Sequence, residues 1–325
     1  MLKVWKVAGN CAILMFLVMT VLVYMFCLNK GLINYGFKYN QLNSTLTLIK
    51  NDVAEPSAKS DTPTVALNIT KSENNSTQCK HRQVKLSERR LPLTGLLSFP
   101  GSGNTWTRHL IQQMTGIGTS SVYCDSSLRS NGFPFECNRV PGKTIVVKAH
   151  ELKYVFKFEK IVLLVRNPYD ALLSYAMFSK GGHTRIPNNK TLIQASNKMF
   201  NHSLRWFFNL PNRTCSTFHG LVYILQYDLL KSDLRTELGK LAQFLNISVP
   251  QAAIDCTVYL QEGNFHRKSN AEDHLRMLRT VYDDKKLEQL RIVVRKTESI
   301  LEKRFNKKFY LGGDTESALL GKVNT

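Results

Sequence analysis

The chain has 325 residues, 43% hydrophobic and 21% charged, and its 44 basic residues outnumber 24 acidic ones for a formal charge of +20. With the ends set aside, that length suffices for one large α/β domain with a substantial core. The positive excess suits anionic partners. It is spread along the chain rather than gathered in one tract, and no stripe of aromatic and basic residues is visible, which argues against nucleic acid as a partner.

Residues 7–28 form an uncharged, mainly apolar run that reaches roughly the 20 residues needed to span a bilayer. Lys3 and Lys6 precede it, Lys30 and Lys38 follow it, and no small-residue cleavage site succeeds it. A retained signal anchor in membrane lipid, behind a cytoplasmic tail at 1–6, is therefore expected in preference to a cleaved signal peptide. Beyond the run, N-x-S/T acceptor patterns occur at Asn43, Asn68, Asn74, Asn75, Asn189, Asn201, Asn212 and Asn246. They are usable only on the luminal side, so the expected layout is single-pass type II in the Golgi membrane.

Residues 29–88, rich in Asn, Ser, Thr and Lys with little periodicity, read as a flexible glycosylated stem. The luminal domain is expected at 89–325. Outside the anchor lie Cys79, Cys124, Cys137, Cys215 and Cys256, an odd number. The expected pairs are Cys124 with Cys137 and Cys215 with Cys256, leaving Cys79 free or intermolecular; buried free thiols throughout are the alternative. No Cys-x-x-Cys pair or His cluster suggests a metal.

Within the domain, strands are predicted at 93–99, 144–147, 161–165 and 221–227, and helices at 105–114 and 169–178. Further on, Leu234, Leu238, Leu241 and Leu245 share a helical face, and 282–305 supports one or two more helices. Strand, crossover helix and strand in alternation give a three-layer α/β fold with a mainly parallel sheet, whose ligands bind at the carboxyl ends of the strands.

Two loops fall at such ends. Pro100-Gly101-Ser102-Gly103-Asn104-Thr105-Trp106 joins the first strand to a helix, which suits a nest of backbone N–H groups around a phosphate or sulfate; a plain glycine-rich turn is the alternative. The loop lacks the third glycine of a dinucleotide fingerprint and the Gly-Lys-Ser/Thr ending of an ATPase loop. The second loop is IVLLVRNPYDALLSY, which sends Arg166 from a strand end toward Ser174 in the next helix. Arginine offers paired donors to phosphate, and the serine hydroxyl can reach another oxygen.

Together these segments resemble the sulfotransferases that use 3'-phosphoadenosine 5'-phosphosulfate, and the resemblance implies their P-loop-like fold over residues 93–310. It implies that the loop Gly101, Ser102, Gly103, Asn104, Thr105 and Trp106 binds the phosphosulfate, with Gly101 standing where the family carries a lysine. It also implies that Arg166 and Ser174 grip the 3'-phosphate, helped by Arg267 and Lys268, whose Arg-Lys-Ser segment lacks the family's glycine. In VVKAHE, Lys148 corresponds to the lysine near the transferred group and His150 to the general base, with Glu151 as the competing base and a merely structural strand-end histidine as the plain alternative.

The NTWTRHLIQQMTG and RNPYDALLSY segments are most similar to the membrane-anchored, WSC-domain-containing sulfotransferase-like proteins, members of which are linked to sulfation of sialic acid; the stem, with Cys79 alone, has no room for the WSC modules. The expected function is sulfuryl transfer, without a metal, to a hydroxyl of an anionic or sialylated glycan. The alternative is a glycan- or nucleotide-binding protein that keeps the fold without turnover, and a nucleotide kinase with a degenerate loop is a distant third. Segments 133–135, 181–188 and 206–208 are the expected acceptor walls.

Overall fold

Strand β1 (Thr94–Ser98) is buried along its whole length and alternates its leucines between two faces. In chain order there follow α1 (Asn104–Thr115), β2 (Ser120–Ser121), α2 (Ser126–Ser130), β3 (Val147–Ala149), a 3-10 turn (Leu152–Lys157), β4 (Lys160–Val165), α3 (Pro168–Gly181), α4 (Asn189–Thr217) and β5 (Leu221–Gln226). Five helices close the domain: α5 (Tyr227–Ser232), α6 (Leu234–Leu245), α7 (Gln251–Tyr259), α8 (Ala271–Val281) and α9 (Asp284–Phe305), with α10 (Gly313–Leu319) behind them. This computed structural model describes residues 79–319 except 266, 268 and 269. The expected tail, anchor and most of the stem, and Lys268, lie outside the described residues. Among the described residues no helix is long and apolar enough to cross a membrane.

All strand pairs are parallel, in the order β2-β3-β1-β4-β5. Leu96, Val162, Leu164 and Leu225 face α1, α6 and α7, while Leu97, Ile161, Leu163 and Val165 face α3, α4 and α9. Period-two alternation on strands covered on both faces produces this three-layer arrangement. Each buried Leu, Ile or Val contributes about 1.5–3 kcal/mol of transfer free energy. Because the central strands point the same way, the loops after β1, β3 and β4 open at one edge of the sheet.

Three expectations need correction. The second strand lies at Val147–Ala149 rather than 144–147: Ile145 and Val146 are buried, but they enter the sheet as an irregular segment, and Lys148 inside the strand masks its apolar pattern. Residues 79–88 are not free stem, since the Lys85 N–H donates to the Gly116 carbonyl, the Lys85 carbonyl accepts from the Gly118 N–H, and the Ser87 N–H donates to the Lys143 carbonyl. Cys124 does pair with Cys137, but Cys256 pairs with Cys79, and Cys215 is a free thiol. Cys215 on α4 packs against the core on one side of the sheet, whereas α7, which carries Cys256, packs against the other. The segment 206–208, expected as an acceptor wall, lies within α4, a helix of 29 residues that tolerates Pro211.

Candidate active site

The loop after β1 begins with Gly101 at φ +83° and Gly103 at φ +90°, left-handed values that glycine adopts without strain. Gly103 caps α1 with no side-chain hydrogen bond, so the first backbone N–H groups of the helix have no intrahelical acceptor. Ser102 is 1% exposed and its hydroxyl has no partner; the hydroxyl of Thr107 and Oδ1 of Asn104 are likewise buried and unpartnered. Unpaired donors at a helix N-terminus beside buried hydroxyls make a seat for an anion. Trp106 donates to the Gln261 carbonyl at 2.8 Å and stands edge-on to Tyr227.

Arg166 leaves β4 toward the same loop. Its Nη1 donates to the Gly101 carbonyl at 3.0 Å, its guanidinium lies 4.4 Å from the Tyr227 ring centroid, and Nη2 is 3.5 Å from Asp170. Burial would raise the Asp170 carboxyl, but the hydrogen bond with His274 at 2.7 Å, the charge of Arg166 and the Asn167 amide hold it at about 2. Arg267 reaches in from the segment before α8, donating to Ser174 Oγ at 3.5 Å and to the Gly182 carbonyl. The Nε groups of Arg166 and Arg267 are both buried without an acceptor. Two guanidiniums and a serine hydroxyl thus converge beside the loop, and desolvation, then the nearness of Arg166, depresses the pKa of Arg267. Sequence reasoning found all three but missed Asp170 and His274, for which only the Asp of RNPYD offered a signal.

His150 follows β3, across from Ser98. Its Nδ1 lies 2.8 Å from the Ser98 carbonyl oxygen and 3.4 Å from Ser98 Oγ. A carbonyl oxygen only accepts, so Nδ1 carries the proton and Nε2 the lone pair. The ring stacks on Tyr123, the His150 N–H donates to the Tyr123 hydroxyl at 2.9 Å, and Trp206 donates to the His150 carbonyl at 2.9 Å. Desolvation, followed by the nearby charge of Lys148, lowers the pKa of His150 to about 3, so the imidazole is neutral at physiological pH.

Lys148 projects from β3 into a buried charge cluster. Desolvation, followed by Arg108, lowers its pKa to about 8, against the opposing pull of Glu136 and Asp125. Arg108 and Glu136 form an ion pair at 2.5 Å with both side chains fully buried. Glu151, the other candidate base, is paired with Lys153 at 2.6 Å and accepts from the Tyr123 hydroxyl at 3.3 Å. Of the expected acceptor walls, Trp206 lies beside His150. Phe133 and Phe207 are core residues, 2% and 3% exposed, with Phe133 under the Arg108 guanidinium and Phe207 against Phe99.

Residues 94–291 match the model of the sulfotransferase domain family. The chain is 33% identical over 205 residues to a WSCD family member of Aedes aegypti, covering 60% of this chain and 64% of that protein. It is 34% identical over 184 residues to a WSCD family member of Drosophila melanogaster, covering 54% and 57% respectively. The chain thus spans less than two thirds of the length of either relative. Among solved structures, the mouse sulfotransferase SULT7A1 complexed with PAP aligns over 71% of this chain and 88% of its own at 16% identity and TM-score 0.43. A sulfotransferase from Alicyclobacillus acidocaldarius aligns over 66% and 97% at 14% identity and TM-score 0.36. With its parallel three-layer sheet and a family match that runs from β1 into α9, the chain belongs to the sulfotransferase domain family.

Proposed function

We propose that the protein transfers a sulfuryl group from 3'-phosphoadenosine 5'-phosphosulfate to a hydroxyl of a glycan, with sialylated or otherwise anionic glycans as acceptors, as a single-pass type II protein of the Golgi membrane. The observation that carries the reading is the convergence of Arg166, Ser174 and Arg267 beside an uncapped helix N-terminus. The donor fits these residues: the unpartnered Ser102 and Thr107 hydroxyls and the two arginine Nε groups are buried polar atoms lacking an anion's oxygens. The net charge of +20 and the N-x-S/T patterns support an anionic acceptor and a luminal domain.

When bound, the nucleotide supplies the sulfuryl group and a phosphate leaving group. The N-terminus of α1 and Ser102 hold the phosphosulfate end, and Arg166, Ser174 and Arg267 hold the 3'-phosphate with charge-assisted hydrogen bonds. Nε2 of His150 accepts the proton of the acceptor hydroxyl as it attacks, and the Ser98 carbonyl steadies the resulting imidazolium through Nδ1–H. The Lys148 ammonium offsets negative charge that grows on the departing oxygen. Positioning and fixed positive charge supply most of the rate in this scheme.

Gly101 favours a second reading, in which the protein binds nucleotide or glycan without turnover, because a cation expected in the loop is missing. The test is to incubate the purified full-length protein with sulfate-labelled donor and a panel of sialylated and neutral glycans. Label on a sialylated glycan supports the first reading. Donor bound but no label on any glycan favours the second.

A further inference from the structure

The side chain of Asn104 does not face the anion seat. It turns back under the end of β1, where Nδ2 donates to the Leu96 carbonyl at 3.1 Å and to Ser98 Oγ at 3.1 Å. The amide can sit only this way round, since the reverse would set Oδ1 against the Leu96 carbonyl oxygen. Ser98 is fully buried and presents two acceptors to His150 Nδ1, its carbonyl at 2.8 Å and its hydroxyl at 3.4 Å. One chain of hydrogen bonds therefore runs from Leu96 through Asn104 and Ser98 to the imidazole. Asn104 is also the first residue of α1 and offers one of the backbone donors of the anion seat.

We infer that Asn104 and Ser98 are positioning residues that hold His150 in its Nδ1–H tautomer with Nε2 free to accept a proton, tying the seating of the anion on the loop to the alignment of the base. The inference rests on the reading of His150 as the proton acceptor. Asn104 fixes the backbone of β1 at Leu96 and the hydroxyl of Ser98 at once, so both acceptors of Nδ1–H stay within reach. Without it the strand end loosens, and the imidazole can turn or take up the Nε2–H form, which has no lone pair where the acceptor hydroxyl arrives. The ionisable groups around the ring are Lys148 from β3, Arg108 from α1, and Tyr123 with Glu151 behind it. None of them bonds to Nδ1, so the tautomer is set by Ser98.

The test uses full-length protein labelled with nitrogen-15 histidine, in which NMR reads the tautomer without any turnover. His150 is expected as Nδ1–H in the unmutated protein. Asn104→Ala should mix the tautomers and lower kcat about tenfold or more. Asn104→Asp, which keeps the volume but removes the donor, should behave like Asn104→Ala, an outcome that a space-filling role does not produce. Ser98→Ala, which retains the carbonyl, should show a smaller loss. Finding Nε2–H in the unmutated protein, or an unchanged tautomer and kcat in Asn104→Ala, would overturn the inference. Undiminished transfer by His150→Ala would instead remove the base assignment beneath it, a separate result because the tautomer is measured independently.

Discussion

Gly101 stands at φ +83°, and a Cβ there would press on the Ala171 carbonyl oxygen and the backbone of Tyr175. The loop is thus packed against α3 so closely that the lysine expected at this position has no room. Restoring it should therefore harm the protein. Gly101→Lys is expected to cost about 1–3 kcal/mol through backbone strain alone and to weaken nucleotide binding; thermal unfolding and calorimetry on the same sample check both. Improved transfer by that variant would show that the loop adapts.

If the loop cannot carry the cation, the proposed mechanism leaves Lys148 to supply the ammonium that offsets charge on the departing oxygen. Its pKa is lowered from 10.5 to about 8, chiefly by burial and then by Arg108. Between those two values the unfolded chain binds a proton that the native protein does not, so this residue makes stability rise with pH across that window. The functional sign is opposite, because the ammonium needed for an anionic donor is lost as pH rises through about 8. The kcat/KM for the donor should fall about tenfold per pH unit above that point, and Lys148→Arg should abolish the fall, since a guanidinium stays charged. A pH–rate profile shared by both proteins would contradict the role given to Lys148.

At the scale of elements, the two disulfides differ in reach. Cys79–Cys256 joins residues 177 apart, anchoring the chain before β1 to α7, whereas Cys124–Cys137 closes a short loop of sequence separation 13. On chain-entropy grounds the longer closure contributes about 5 kcal/mol and the shorter about 3 kcal/mol. Cys79→Ser/Cys256→Ser should accordingly lower the denaturant midpoint more than Cys124→Ser/Cys137→Ser, with Cys215→Ser nearly silent. A larger loss in the Cys124→Ser/Cys137→Ser protein would reverse that order.

Strands β1, β4 and β5 and helices α1, α3 and α6 were legible because their apolar periods are undisturbed. β3 was blurred because Lys148 interrupts it, and α4 because Pro211 and scattered polar residues hide a long amphipathic helix. The Arg166 and Ser174 pair was legible as well, since both stand in one continuous segment. Ser98, Asp170 and His274 were not, because their roles depend on contacts between distant segments. His274 meets Asp170 across 104 residues of sequence. The pairing of Cys256 failed for the same reason: spacing along the chain does not reveal which face of the sheet a helix covers.

For the molecule as a whole, the parallel sheet gathers the loops after β1, β3 and β4 at one edge, and in the proposed function the anion seat, Lys148, His150 and Arg166 act as one site. The central claim is that this site reads a nucleotide by its 3'-phosphate. It is tested most directly by titrating the full-length protein calorimetrically with 3'-phosphoadenosine 5'-phosphate and with adenosine 5'-phosphate, alongside Arg166→Ala. Charge-assisted hydrogen bonds contribute about 1.5–3 kcal/mol each, so the unmutated protein should prefer the 3'-phosphorylated nucleotide by about 100-fold or more, and Arg166→Ala should lose most of that preference while remaining folded. Equal affinity of the unmutated protein for the two nucleotides would contradict the account.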